Sequence, residues 1–299
     1  MAIRWIINGY FRSGTTFLWD RFRKAVNDDV LCLYEPLHPD LPNFLEKNGR
    51  DDSGKRLHHL DMWSDYLRIH PDHRQLLLDR HPNRSANCDW SGQGLADYLE
   101  ILHTLDEDVM IQTNRLHYDF AQVADMTGAS IVHIVRNPVE VFHSIRHTYF
   151  TNVGKVRGFI RRLAYPLRGS RVFETGAWMN RARKAFPRLY SVTKRDPKRL
   201  LSCFVPAWIG ANYAAVQSLS SHHGIICAYK ELFLHPVALA EKLKLCLNVP
   251  FSIVGEETPR HCAEIGDKDG MKFNDWVERW GLENEWRVIR GVMEEREGR

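Results

Sequence analysis

The stretch Ser130–Val135, with the sequence S-I-V-H-I-V, is a short and almost continuous apolar run. Runs of this kind are typical of strands covered on both faces, as in parallel sheets flanked by helices. Residues 3–8 form a second such run, which ends at Gly9 and is followed by apolar side chains at helical spacing over residues 15–26. A strand that leads through a glycine turn into a helix is the building unit of α/β proteins, so the pattern favours this class.

The same alternation continues along the chain. Strands are predicted at residues 3–8, 30–34, 109–112, 130–135 and 224–229, and helices at 15–26, 95–105, 120–126, from 138 onward, 207–219 and 275–290. Residues 38–90 have broken periodicity, which predicts loops and short helices. We therefore expect a three-layer α/β fold, a parallel sheet with helices on both faces, that binds ligands at the carboxyl ends of its strands. Pro and Gly never gather into a linker, so we expect one domain over residues 1–299, with insertions around 38–108 and 145–206 that shape its binding pocket.

The composition is that of an ordinary globular protein, since 44% of the 299 residues are hydrophobic and 26% are charged. A disordered or fibrous chain is excluded. The formal net charge of +4 does not imply nucleic acid, and no such partner is expected. The charge is unevenly placed, because residues 141–173 hold seven Lys and Arg and no Asp or Glu. This segment is either a solvated basic face or a loop or lid that faces an anionic substrate.

Six cysteines show neither a C-x-x-C pair nor the spacing of a zinc site, so reduced thiols are expected. The N-terminus has neither a signal-peptide core nor the roughly 18 consecutive apolar residues of a membrane span. We expect a cytoplasmic protein without a transmembrane segment, or a chain trimmed of a leader.

The turn after the first predicted strand has the chemistry of an anion cradle. It reads Arg12-Ser13-Gly14-Thr15-Thr16 and leads directly into a helix. The N-terminus of a helix offers backbone N–H groups and the positive end of its dipole, and the hydroxyls and the guanidinium add donors. The Walker A pattern does not fit, because no Lys precedes the Thr pair. The alternative is a plain Ser/Thr helix cap beside an exposed Arg.

A second basic strand end follows the run at 130–135. Arg136 stands at its carboxyl end, Asn137-Pro138 punctuates it, and Ser144 lies eight residues after Arg136. Pro138 suits the first turn of a helix. The guanidinium and the hydroxyl can meet at one phosphate only if the intervening turn folds back. The alternative is a charged turn without a ligand.

Together, residues 12–18 and 136–144 resemble the two signature segments of the sulfotransferases that use 3′-phosphoadenosine 5′-phosphosulfate (PAPS). In that family R/K-S-G-T-T-x-L holds the 5′-phosphosulfate, and R-x-P…S holds the 3′-phosphate. The resemblance implies the sulfotransferase fold, which is related to the P-loop nucleotide kinases, with PAPS as donor and 3′-phosphoadenosine 5′-phosphate (PAP) as product. It implies donor-binding roles for Arg12, Ser13, Gly14, Thr15, Thr16, Phe17, Arg136 and Ser144.

The segment Tyr34-Glu35-Pro36-Leu37-His38 resembles the E-P-L element of the carbohydrate sulfotransferase branch. Sulfuryl transfer needs a base that takes the proton of the acceptor hydroxyl. The resemblance makes Glu35 the first candidate for this base, with His38 as the runner-up. The alternative is that Glu35 pairs with a basic residue and merely holds the loop.

Two later segments match the family less closely. Residues 225–232 resemble its Y-E-D-L strand, which implies Tyr229 near the adenine, although Lys230 replaces the expected Glu. The nearest counterpart of its late glycine-rich basic loop is 266–272, which makes Lys268 and Lys272 candidate ligands of the 3′-phosphate.

We therefore expect a PAPS-dependent transfer of a sulfuryl group to a hydroxyl of a carbohydrate, glycolipid or small metabolite, or less favourably to an amine. No metal is expected, because the donor carries no chain of phosphates that needs a cation. The alternatives are a nucleotide-dependent kinase, which would need magnesium, and a non-catalytic module of the same fold that binds a nucleotide or a polyanion. The oligomeric state is left open.

Overall fold

The structure is a computed structural model that describes residues 2–26, 28–47, 61–81, 93–150, 200–220, 222–250, 252–253 and 267–294. The basic segment predicted at 141–173 lies outside the described residues from 151 onward. Large parts of the predicted insertions at 38–108 and 145–206 also lie outside them. The single domain with these two insertions therefore stays a prediction.

Five parallel strands form the central sheet. They are β1 (Ile3–Gly9), β2 (Val30–Tyr34), β3 (Asp108–Thr113), β4 (Ser130–Val135) and β5 (Gly224–Ala228). Their order across the sheet is β2-β3-β1-β4-β5, so the apolar runs β1 and β4 lie beside each other inside it. The predicted positions of all five strands are confirmed to within about two residues at each end.

Eleven α-helices are present in the described part of the chain, together with a short 3₁₀ helix at Ser64–Leu67. They are α1 (Thr15–Ala25), α2 (Leu41–Glu46), α3 (Pro71–Arg80), α4 (Gln93–His103), α5 (Phe120–Thr127), α6 (Pro138–Phe150), α7 (Leu200–Leu219), α8 (Glu231–Leu234), α9 (Pro236–Leu247), α10 (Asp267–Trp280) and α11 (Glu283–Glu294).

Helices cover both faces of the sheet. On one face the Trp5 indole contacts α1 and donates from Nε1 to the last carbonyl of α9 at 2.7 Å. On the other face Asn8 contacts His133, whose ring contacts α5 and α7. Trp5 and Asn8 are three residues apart on β1, and successive side chains of a strand point to opposite faces. The predicted three-layer α/β architecture is therefore confirmed.

Two helix predictions are wrong in their boundaries. Helix α7 begins at Leu200 rather than at 207, because Pro206 lies inside the helix instead of preceding it. The residues around this proline, Phe204 to Ile209, are all buried, and their burial outweighs the missing backbone hydrogen bond.

The helix predicted at 275–290 is in fact two helices, α10 and α11, which break at Gly281. This residue has a φ of 60°, and its N–H donates to the Glu278 carbonyl while Leu282 donates to Val277. A left-handed glycine with this bond pattern is a common end of a helix. Helices α2 and α3 lie within 38–90, where short helices were predicted without bounds, whereas α8 and α9 were not predicted.

The strand order places the loops after β1 and β4 at a topological switch point. The chain leaves β1 toward β2 at one edge of the sheet and leaves β4 toward β5 at the other edge. The carboxyl ends of two neighbouring strands whose connections diverge in this way frame a crevice, where α/β proteins bind their ligands. Both basic motifs of the sequence, at 12–16 and at 136–144, begin at this crevice.

A search of the described residues found no helix that is both long enough and apolar enough to cross a membrane.

Candidate active site

The loop between β1 and α1 is a tight turn with two residues in the left-handed region. Arg12 has a φ of 67° and Gly14 a φ of 93°, and the Ser13 N–H donates to the Tyr10 carbonyl at 3.0 Å. Gly14 is the N-cap of α1, and no side chain caps this helix. The alternative of a Ser/Thr cap is thus not what the loop forms. The first turn of α1 instead directs uncapped amides toward the loop.

The two basic motifs meet at the Arg12 residue. Its Nε donates to Ser144 Oγ at 3.0 Å, and its backbone carbonyl accepts from Nη1 of Arg136 at 2.9 Å. These contacts join residues that are 132 and 124 positions apart in the sequence. The structure therefore brings the end of β1, the end of β4 and the second turn of α6 to one place.

Arg136 is only 6% exposed, and protein groups hold it on three sides. Its Nε donates to Glu140 at 2.9 Å, and its guanidinium carbon lies 4.1 Å from the centre of the Tyr229 ring. The same ring lies against Gly14, where an added Cβ would be 2.5 Å from it, and it also contacts the Phe233 ring. Tyr229 is thus packed between the β1 loop and the Arg136 guanidinium, and its place near the adenine stays a prediction.

The threonine hydroxyls of the loop contact protein groups. Thr15 Oγ1 donates to the Asn114 side-chain oxygen at 3.0 Å, and Thr16 Oγ1 lies 2.8 Å from the Tyr34 hydroxyl. Phe17 is half-buried and contacts the guanidinium of Arg21 on the same helix. The first helical turn is thereby tied to the ends of β2 and β3.

Glu35 follows β2 with a φ of 47° and is 2% exposed. Its Oε1 accepts from the Asn114 amide and its Oε2 from the Arg115 guanidinium, which is itself almost fully buried. An opposite charge at this range favours the ionised form of a buried carboxyl group. The basic partner that the loop-holding alternative requires is therefore Arg115.

Sequence reasoning missed Asn114 and Arg115. They follow β3 directly, and β3 lies between β1 and β2 in the sheet. The expectation that ligands gather at the carboxyl ends of parallel strands could have pointed to them, because the T-N-R sequence there is polar and basic.

His38 lies near Glu35 but has other partners. Its Nδ1 accepts from the Asp40 N–H at 3.1 Å, and its ring contacts that of Trp63. Burial, with further contributions from Arg115 and His81, lowers the pKa of His38 to about 3. The ring is neutral at pH 7, and with Nδ1 as acceptor its Nε2 carries the proton. An imidazole in this state donates a hydrogen bond more readily than it takes up a proton.

Residues 267–272 are part of helix α10 and do not form a glycine-rich loop, and the roles of Lys268 and Lys272 stay a prediction. Gly270 lies inside the helix, and the side chain of Lys268 is outside the described part of the structure. Lys272 lines an open groove of about 490 Å³ together with Phe142, Arg146, Leu201, Asp275, Trp276 and Arg279. Phe142 and Arg146 each stand two residues from Ser144 on α6, so they face another side of that helix.

Comparison with known proteins gives few relatives. No family model matches the chain. An uncharacterized protein of Archaeoglobus fulgidus is 27% identical over 302 residues, covering 94% of this chain and 95% of that protein.

Three solved structures with a similar course of the chain are titled as sulfotransferases. That from Alicyclobacillus acidocaldarius has a TM-score of 0.45 at 13% identity, covering 98% of this chain and 96% of its own. The sulfotransferase domain of the Synechococcus PCC 7002 olefin synthase has a TM-score of 0.44 at 14% identity, covering 96% of this chain and 93% of its own. The sulfotransferase domain from the curacin biosynthetic pathway has a TM-score of 0.40 at 16% identity, covering 84% of this chain and 76% of its own. The fold of this chain is assigned from its own strand order and register.

Proposed function

We propose that the protein transfers a sulfuryl group from PAPS to an acceptor hydroxyl. The observation that carries the proposal is the convergence on Arg12, whose side chain contacts Ser144 and whose carbonyl contacts Arg136. A donor with a phosphate at each end of its ribose needs two anion sites close together. The loop after β1 and the strand end after β4 supply two such sites at one crevice.

The residues of the loop suit an anionic group. Ser13 is fully buried, and its Oγ has no hydrogen-bond partner among the described residues. A buried hydroxyl without a partner is unfavourable by itself and favours a ligand that accepts a hydrogen bond from it. Gly14 keeps the backbone free of a Cβ at the point where the uncapped amides of α1 begin.

The proposed roles follow from where charge develops during transfer. The acceptor oxygen bonds to sulfur while the bond between sulfur and the bridging oxygen breaks, and PAP leaves with that electron pair. Arg12 and the loop amides offset the negative charge on the bridging oxygen. Glu35 takes the acceptor proton. PAPS supplies the activated sulfur, and the protein supplies position and charge.

The acceptor class follows from the base. The E-P-L element at Glu35 supports a sugar, glycolipid or small metabolite as the acceptor. Glu35 is 2% exposed, so an unhindered hydroxyl reaches it more easily than a crowded one. Primary hydroxyls of mono- and disaccharides are therefore the first acceptors to screen.

Turnover with PAPS tests the proposal through variants of Arg12. We expect Arg12→Ala to lower kcat at least 100-fold, the order measured when one donor to a developing oxyanion is removed. Arg4→Ala is the matched control, because Arg4 lies at the opposite end of β1 in an exposed ion pair with Asp108. Full activity of Arg12→Ala would refute its role.

A second set of measurements separates the other candidate functions. We expect Glu35→Gln to bind PAP as the wild type does and to lose turnover, whereas a purely binding module would have no turnover to lose. Activity should persist in EDTA. A requirement for magnesium together with use of ATP would indicate a kinase instead.

A further inference from the structure

The two residues that follow β3 both contact the carboxylate of Glu35, one at each oxygen. We propose that Asn114 and Arg115 are positioning residues that hold Glu35 ionised and fix it relative to the donor loop, which is the loop at residues 10–14 between β1 and α1. This inference rests on the proposed function, in which Glu35 is the base. It assigns a reaction role to two residues that neither motif of the sequence includes.

Because Glu35 is buried, its ionised form needs a partner that stabilises the charge. A carboxylate that is 2% exposed would be neutralised by protonation if it lacked a partner. Arg115 is 3% exposed and stays charged, so it keeps the carboxylate in the form that can accept a proton.

Asn114 has its amide orientation set by neighbours. Its Oδ1 accepts from the Thr15 hydroxyl at 3.0 Å and from the Gln112 amide at 3.4 Å. With the oxygen facing two donors, the Nδ2 group must face Glu35, to which it donates. A continuous hydrogen-bonded chain therefore runs from the first residue of α1 to the proposed base.

Arg115 reaches the same loop by a second route. Its guanidinium carbon lies 5.3 Å from the centre of the Phe11 ring, on the residue before Arg12. Such cation–π contacts are stronger where water is excluded. Glu35 is thus tied to the donor loop at two points, through Thr15 and through Phe11. This arrangement would keep the distance from base to sulfur constant while donor and acceptor exchange.

The neighbouring titratable side chains are neutral in the pH range in which Glu35 is tested. Burial raises the pKa of Tyr34 and of Tyr66 well above the ordinary value, with Glu35 adding to the shift in each. Both phenols stay neutral below pH 10. His38 and His81, whose pKa values burial lowers to about 3 and about 4, are neutral as well above pH 5. A variant that moves the acidic limb of activity to above pH 5 therefore reports the Glu35 carboxyl group and not these rings.

The test uses Asn114→Asp, which places a second carboxyl group against Glu35. Like charges disfavour joint ionisation, so the acidic limb of the kcat/KM profile should move up by about 1 pH unit or more. PAP affinity should stay within about threefold of the wild type. Asn212→Asp is the control, because Asn212 is also a buried amide but lies away from Glu35, beside His133. Asn212→Asp should leave the acidic limb of the kcat/KM profile at the pH of the wild type.

Arg115 is tested by a pair of variants. Arg115→Met should lower kcat about 100-fold, and Arg115→Lys should restore part of the loss because it keeps the charge. A merely structural role would lower the folded fraction without changing kcat per folded molecule. If Arg115→Met does not fold, Asn114→Ser takes its place, since it removes the amide without adding charge.

A measurement without turnover separates this inference from the proposed function. Glutamate labelled with ¹³C at the side-chain carboxyl is titrated by NMR in the full chain, and the Glu35 signal is assigned by its loss in Glu35→Gln. We expect the Glu35 midpoint to rise in Asn114→Asp and in Arg115→Met. Unchanged midpoints would overturn the inference whether or not the protein transfers sulfate. Failure of the wild type to bind PAP would overturn the proposed function alone.

Discussion

Replacing Gly14 by alanine tests how the donor loop is built. The backbone at Gly14 is left-handed, with a φ of 93°, and an added Cβ would lie 2.5 and 2.7 Å from two carbons of the Tyr229 ring. That ring cannot retreat freely, because the Arg136 guanidinium lies on it at 4.1 Å. Two separate penalties therefore act on the variant, one from the backbone and one from the ring.

The chain offers a control that carries the backbone penalty without the contact with the ring. Gly128 is also left-handed, with a φ of 64°, but a Cβ there would meet nothing within 4 Å. Gly128→Ala should lower the free energy of unfolding by about 1–2 kcal/mol, the backbone penalty alone. Gly14→Ala should lower it by a further ~1–3 kcal/mol, which is typical of overpacking.

Urea denaturation of the two single variants measures this difference directly. Adding Tyr229→Ala to Gly14→Ala completes a double-mutant cycle and should recover a coupling of about 1–3 kcal/mol. The Gly14 variant should also lose PAP binding, because the displaced loop no longer directs its amides to one point. Equal losses of stability in Gly14→Ala and Gly128→Ala, with no coupling to Tyr229, would refute the packing described here.

Three further predictions concern stability and reactivity. His38, His81 and His133 have pKa values lowered to about 3, 4 and 4, chiefly by burial, so the unfolded chain binds more protons below pH 6.5. As the pH is lowered from 6.5 to 4, each of these histidines should lower the free energy of unfolding by up to about 1.4 kcal/mol per pH unit. A free energy of unfolding from urea denaturation that stays constant over that range would contradict this. Burial raises the pKa of the Cys32 thiol to about 12, so iodoacetamide at pH 8 should modify it, by mass spectrometry, only after unfolding. Gly270→Ala should raise the midpoint of urea unfolding by adding about 0.5–1 kcal/mol, because Gly270 is helical and a Cβ there has open space.

Local signals were enough to predict the strands and the two basic motifs. The apolar runs at β1 and β4 are continuous and short, and each ends in a Gly or Asn-Pro signal that stops the strand. Parallel pairing then brings the ends of such strands to one edge, and the structure places Arg12 and Arg136 there in contact. Their actual contact runs through a backbone carbonyl, which no side-chain motif can reveal.

The features that were missed depend on tertiary partners. Whether Pro206 begins a helix or lies inside it is decided by the burial of its neighbours, and burial is not visible in one sequence. The split at Gly281 needs a left-handed glycine, and a glycine elsewhere in this chain, Gly270, continues the same helix. Arg115 became a candidate only when the sheet order placed β3 between β1 and β2.

Calorimetric titration with PAP tests the central claim most directly, with 5′-AMP and ATP as competing ligands. We expect micromolar binding that requires the 3′-phosphate and weakens at least tenfold in Arg136→Ala. Arg290→Ala is the matched control, because Arg290 makes the same i,i+4 bond from Nε to a glutamate on an exposed face of α11. Binding that prefers ATP, or that is equally strong in Arg136→Ala and Arg290→Ala, would contradict the account.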